Sequence, residues 1–230
     1  MIKLGEISSE VQKVNSENTD AYKEIKPQEE MSKDAADDYW ESLFNDEIDD
    51  TETEDTLLYD VFDRSEDEFD FDLEIDDDII ELLQNIKDIE WTYLDEDEKM
   101  EMLDALSDKI GEMLELKEQP EVIYYDADEN DCGAYNQATN SIELNSSLLA
   151  YPDELIETIA HELRHAYQYQ KSMEPETRLD LLYRVNFENY ISPISLGDGK
   201  YLFFTDYQDQ LIEVEARAFA KQFSGNEVAV

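Results

Sequence analysis

The chain of 230 residues contains two histidines and one cysteine, and its 17 basic residues stand against 62 acidic ones. Each scarcity excludes something. A lone Cys132 forms no internal disulfide, which suits a reducing compartment. So few bases exclude direct nucleic-acid binding, because phosphates are gripped by Lys and Arg. No apolar run is long enough to span a bilayer, and residues 1–30 carry no apolar core of a signal peptide. These absences predict a soluble, cytoplasmic protein that uses no membrane.

Apolar residues make up 41% of the chain, enough for a core, while the formal net charge is −45. The charge is unevenly placed: residues 1–120 hold 42 acids and 10 bases, residues 121–230 only 20 acids and 7 bases. Such a field attracts basic proteins, or lets the acidic part sit where a nucleic acid normally sits.

Both histidines fall in His161-Glu162-Leu163-Arg164-His165. This is H-E-x-x-H, a zinc-binding pattern with a glutamate beside the first ligand. On a helix, residues four apart lie one turn above each other, so His161 and His165 aim at one ion. Glu162, about 100° round the helix, reaches the water which that ion polarises. Arg164 points away from the metal face and is expected to order a nearby carboxylate.

Residues 1–33 are polar and lack a steady apolar period, the pattern of a flexible leader. Residues 34–45 place Tyr39, Trp40, Leu43 and Phe44 at helical spacing. Within the acidic centre, residues 46–78, Phe69-Asp70-Phe71-Asp72-Leu73-Glu74-Ile75-Asp76 alternates apolar and acidic, the period of a strand. That stretch is either a polyanion mimic or, as we favour, a solvated or disordered acidic segment. Short and long helices are expected over 78–89 and 95–117, joined by a hinge or short extended link at Trp91, Tyr93 and Leu94. A domain boundary near residue 88 divides an acidic N-terminal region, 1–87, from a C-terminal domain, 88–230.

Beyond Pro120, Val122–Tyr125, Gly133–Asn136 and 140–145 read as three strands. Pro152, Asp153 and Glu154 open the motif helix, expected to run to about Lys171. Catalytic zinc needs a third protein ligand. With no third histidine and a single cysteine, that ligand is a carboxylate on the helix expected over 208–223. Glu213 and Glu215 both qualify, each about 80° from the centre of the apolar face, on opposite sides. Periodicity leaves the choice open, although small Ala216 and Ala220 leave room on the Glu213 side.

Three segments carry a family resemblance: Ala160-His161-Glu162-Leu163-Arg164-His165-Ala166-Tyr167-Gln168, Asn186-Phe187-Glu188-Asn189-Tyr190-Ile191 and Ile212-Glu213-Val214-Glu215-Ala216-Arg217-Ala218-Phe219-Ala220. Together they resemble bacterial and phage-associated zincin metallopeptidases, often encoded on mobile elements or as toxin domains. The last is also similar to the E-x-x-A-[N/D]-x-F-A pattern of ImmA/IrrE-type peptidases, with Arg217 in place of the usual Asn or Asp. That resemblance implies that Glu213 is the third ligand.

The implied fold is α+β: a zincin-like domain whose small antiparallel or mixed sheet packs on the active-site helix, with a C-terminal ligand helix. An acidic N-terminal region, mainly helical or partly disordered, precedes it. Zincins pair an edge strand with an extended substrate, so Ile142, Glu143, Leu144 and Asn145 are either that edge or a purely structural strand. The implied activity is zinc-dependent cleavage of a protein substrate, with Zn2+ on His161, His165 and Glu213 and Glu162 as general base. Tyr190, Tyr201 and Tyr207 are candidate donors to the transition state. The N-terminal region would recruit a basic, nucleic-acid-binding protein or inhibit the site. The rival reading is an acidic nucleic-acid mimic of phage or mobile-element origin whose zincin domain is silent.

Overall fold

A computed structural model describes residues 57–58, 60–62, 64–66, 69, 71, 75–127, 132–197 and 200–224. All belong to one compact unit, Asp37–Val230. The leader, the helix expected over 34–45 and residues 70 and 72–74 of the alternating stretch lie outside the described residues. Its described positions Phe69, Phe71, Ile75 and Asp76 are not in a strand.

Two helices open the described core. Helix α1, Asp77–Lys87, has acids in its first turn and Lys87 in its last, as its dipole favours, and buries Ile79, Leu83 and Ile86. Helix α2, Glu96–Met113, starts on a capping box: Asp95 accepts from the Glu98 amide and Glu98 from the Asp95 amide. It ends four residues earlier than its pattern suggests, because Glu115 turns left-handed at φ 54°. Of the hinge and the extended link that the sequence left open, the extended one is not formed: Ile89–Tyr93 is a 3-10 turn. Trp91 drives this: its indole is buried and donates to the Leu149 carbonyl at 3.0 Å.

The three-stranded sheet is mixed. Strands β1 (Glu121–Tyr125), β2 (Gly133–Asn136) and β3 (Ser141–Asn145) lie in the order β1-β3-β2, with β3 parallel to β1 and antiparallel to β2. This corrects one expectation. Ile142, Glu143, Leu144 and Asn145 form the central strand, not an edge. Both sides of their backbone are taken by β1 and β2, so no substrate strand can add there. The free edges are β1 and β2. Gly133 lets β2 approach closely, since a Cβ there would stand 2.6 Å from the Glu143 carbonyl and 2.9 Å from Thr158.

Helix α3, Pro152–Met173, carries the H-E-x-x-H motif and is buried on nearly every side. It packs against β2, β3, α2, α4 (Arg178–Glu188) and, most extensively, α6 (Leu211–Ser224). A hairpin of β4 (Ile194–Gly197) and β5 (Lys200–Leu202) and the short α5 (Phe204–Gln208) connect α4 to α6. Among the described residues, no helix is long and apolar enough to cross a membrane.

The core does not break at residue 88. Ile79, Leu83 and Ile86 share one apolar cluster with Ile156, Ile159, Leu163, Phe219 and Phe223. A second cluster joins Leu57 and Val61 to Leu179, Leu182, Tyr183 and Leu211. The acidic segment is further tied to α6 through its backbone, Leu211 N–H donating to Val61 O at 2.8 Å and Arg64 N–H to Asp209 O at 3.0 Å. Asp60 pairs with Arg178 at 2.5 Å, and Glu66 with Arg217 at 2.9 Å and with Lys221.

Partial burial alone would raise the Glu66 carboxyl, but Lys221 and Arg217 outweigh it and hold the group below its ordinary 4.5. A carboxyl depressed on folding stabilises the native state above its unfolded value and loses that contribution as pH falls through the folded one. Glu66→Gln is therefore expected to lower the urea midpoint more at pH 7 than at pH 3.5. An equal loss at both pH values would contradict the pairing.

Candidate metal centre

The helical spacing of His161 and His165 brings their rings together, edge to face with centroids 4.6 Å apart. Their Nε2 atoms lie 3.0 Å apart. From α6, Glu213 places Oε2 3.5 Å from His161 Nε2 and Oε1 3.5 Å from His165 Nε2. Among the described residues these three form the cluster able to hold a metal ion. The spacing fits zinc: ligand atoms about 2.0–2.1 Å from a tetrahedral centre stand roughly 3.3 Å from one another. Two imidazoles and one carboxylate are also a catalytic zinc donor set that leaves one position for water.

The two acids left open by the sequence face different tasks. Burial alone would raise the Glu213 carboxyl, but His165, His161 and the Tyr190 hydroxyl outweigh it and bring it to about 2. Glu213 is thus an anion ready to ligate. Glu215, fully buried, turns to the other side of α6. There it accepts from Arg164, from Tyr183 Oη at 2.7 Å and from Gln168 Nε2 at 2.6 Å. Burial alone would weaken the Arg164 charge, and Glu215 beside it more than restores it. Three rings surround the guanidinium, with Cζ 4.4 Å from the centroid of Tyr167, 5.0 Å from Phe71 and 5.3 Å from Phe219.

Glu162 Oε2 accepts the Tyr135 amide of edge strand β2 at 2.7 Å. Burial pushes its carboxyl up to about 7, with Glu213 adding to the rise and His165 opposing it. Beside it opens a cleft of about 320 Å³ lined by Cys132, Thr158, His161, Glu162, Arg217 and Lys221.

Two of the three candidate tyrosines reach the centre. Tyr190 Oη donates to Glu213 Oε1 at 2.6 Å, and Tyr207 packs edge to face on Tyr190 at 6.1 Å. Burial, and next the Glu213 charge, raise both hydroxyls well above the ordinary tyrosine range, so both keep their protons. Tyr201 does not arrive: it lies on β5, exposed, against Phe204. The hairpin turns it outward.

A buried amide pair fixes the two tyrosines relative to α6. Asn186 Nδ2 donates to Gln210 Oε1 at 3.1 Å and Asn186 Oδ1 accepts from the Ile212 amide at 3.0 Å. Gln210 in turn holds Ile191 N–H and O and the Tyr207 carbonyl. Gln168, Tyr183, Gln210 and the Tyr135 amide have roles that sequence reasoning missed. For Gln168 alone a signal existed, its place three residues after His165 and four after Arg164 on the same helix.

Removing one partner of a buried ion pair strands the other charge. Arg164→Met is expected to cost about 3–5 kcal/mol of stability, read by urea unfolding. Adding Glu215→Met should recover part of that loss. Additive losses would contradict the pairing.

Comparison with known proteins touches this centre directly. The model of the SprT-like family matches residues 103–178 of the 230. The match covers the second half of α2, the sheet and all of α3, and so takes in His161, Glu162 and His165 but ends before Glu213. No curated protein and no solved structure matches the chain. Residues 103–178 thus resemble a family related to zincin-like metallopeptidases.

Proposed function

We propose that the chain is a zinc-dependent endopeptidase acting on protein substrates. The observation that carries this reading is the convergence of His161, His165 and Glu213 beside a buried Glu162. The E-x-x-A pattern at Glu213 and Ala216, and the engagement of Glu215 elsewhere, support Glu213 as third ligand. Zinc, when bound there, supplies an acidified water and a Lewis acid for the scissile carbonyl.

The chain's own residues do the rest. Glu162 Oε2 is held by the Tyr135 amide, leaving Oε1 to accept the proton of the attacking water and hand it to the leaving amine. A carboxyl pushed up to about 7 is suited to both halves of that transfer near neutral pH. Tyr190 and Tyr207 keep hydroxyl protons within the site and are the candidate donors to the tetrahedral oxyanion. The substrate-pairing role moves from Ile142–Asn145 to β2, whose outer edge already points the Tyr135 amide at Glu162.

A chain of net charge −45 gathers basic proteins. The substrate class we infer is a basic, nucleic-acid-binding protein brought in by acidic residues 1–87. Glu162→Gln is expected to keep its zinc and to cut about 10²–10⁴-fold more slowly, read by metal analysis beside a peptide-cleavage assay. Unchanged cleavage, or a parent protein that takes up no zinc, would contradict the reading. In the same assay kcat/KM for a basic protein substrate should fall steeply with salt while that for a short neutral peptide does not. Equal salt responses would remove the recruiting role.

A further inference from the structure

Resting on the reading of His165 as a metal ligand, we propose that Gln168 is a positioning residue that sets which nitrogen of His165 carries the proton. It acts on instruction from Arg164 relayed through Glu215. A neutral imidazole has one N–H and one lone pair, and only the lone-pair nitrogen ligates. At His165 the nitrogen facing His161 and Glu213 is Nε2, so the proton must sit on Nδ1. The tautomer that a free imidazole favours in water is the opposite one.

The donors and acceptors around Gln168 leave a single solution. Its Nε2 stands 3.1 Å from the Ile212 carbonyl and 2.6 Å from Glu215 Oε2. A carbonyl never donates. Glu215 is ion-paired with Arg164, which is always protonated, and takes the Tyr183 hydroxyl on the same oxygen. Both neighbours are therefore acceptors, and both protons of the Gln168 amide are committed to them. Flipping the amide would set Oε1 against two acceptors. In the only satisfied orientation, Gln168 Oε1 faces His165 Nδ1 at 2.9 Å and can only accept. Nδ1 then carries the proton and Nε2 offers its lone pair to the metal position.

No water competes for these bonds, because Gln168 and Glu215 are both 0% exposed.

A chain with two histidines is suited to the test, since long-range 1H–15N NMR of the full-length, chelator-stripped protein shows only two imidazoles. At about pH 9, where a free imidazole is neutral, the expected spectrum has His165 as Nδ1–H. Gln168→Leu should admit the Nε2–H form of His165 and weaken zinc about 10–100-fold in a chelator competition. Glu215→Gln, which lets residue 215 donate, should move the same marker without touching His165. The parent spectrum decides alone if the variants do not fold: Nε2–H on His165 overturns the proposal. Folded variants with parental tautomer and zinc affinity overturn it as well. A parent that shows the expected tautomer but takes up no zinc supports the relay while refuting the peptidase reading.

Discussion

The buried pairing of Arg164 with Glu215 is the contact on which the rest of the site depends. It joins the motif helix to the helix that brings the third candidate ligand, at a point where both side chains are buried. Two such charges persist in a core only when each hydrogen-bonding group finds a partner. Here Tyr183, Gln168 and a box of three rings supply most of them. The result is a fixed rotation and register of α6 against α3. Glu213, two residues from Glu215, is held facing the histidines because Glu215 is held facing Arg164.

This arrangement gives the acidic segment a structural meaning that its composition hides. Phe71 packs edge-on against Phe219 and covers the Arg164 guanidinium. Glu66 is clamped by Arg217 and Lys221, which also line the cleft beside Glu162. Described parts of the segment, at residues 57–71, thus belong to the scaffold of the centre. A truncation at residue 88 would remove one wall of the Arg164 box and helix α1 from the core, so it cannot separate recruitment from folding.

What was legible from the sequence follows from the range of each interaction. Helices α1, α2, α3 and α6 were readable because caps, dipole charges and apolar periods are local signals. The two histidines were readable because H-E-x-x-H is a one-turn geometry. The sheet order was not, because it depends on which of three short strands inserts between the others, and a buried five-residue run looks alike at centre or edge. Glu213 and Glu215 were equivalent on a wheel since α6 is buried on both flanks; only the position of Arg164 tells them apart. Tyr190, Tyr201 and Tyr207 were indistinguishable among 14 tyrosines. Their placement depends on Asn186 and Gln210, and neutral amides announce nothing in a sequence. Gln168 offered only its helical spacing from His165 and Arg164 as a signal.

On the proposed reading His161, His165 and Glu213, and not Glu215, hold the metal. The decisive measurement is zinc affinity by chelator competition on Glu213→Gln, with folding checked by circular dichroism. One zinc per parent chain is expected, with a folded Glu213→Gln protein whose zinc binding is weakened at least about 100-fold, beyond the 10–100-fold expected for a partner of a ligand. A folded Glu213→Gln protein that binds zinc as tightly as the parent would contradict it.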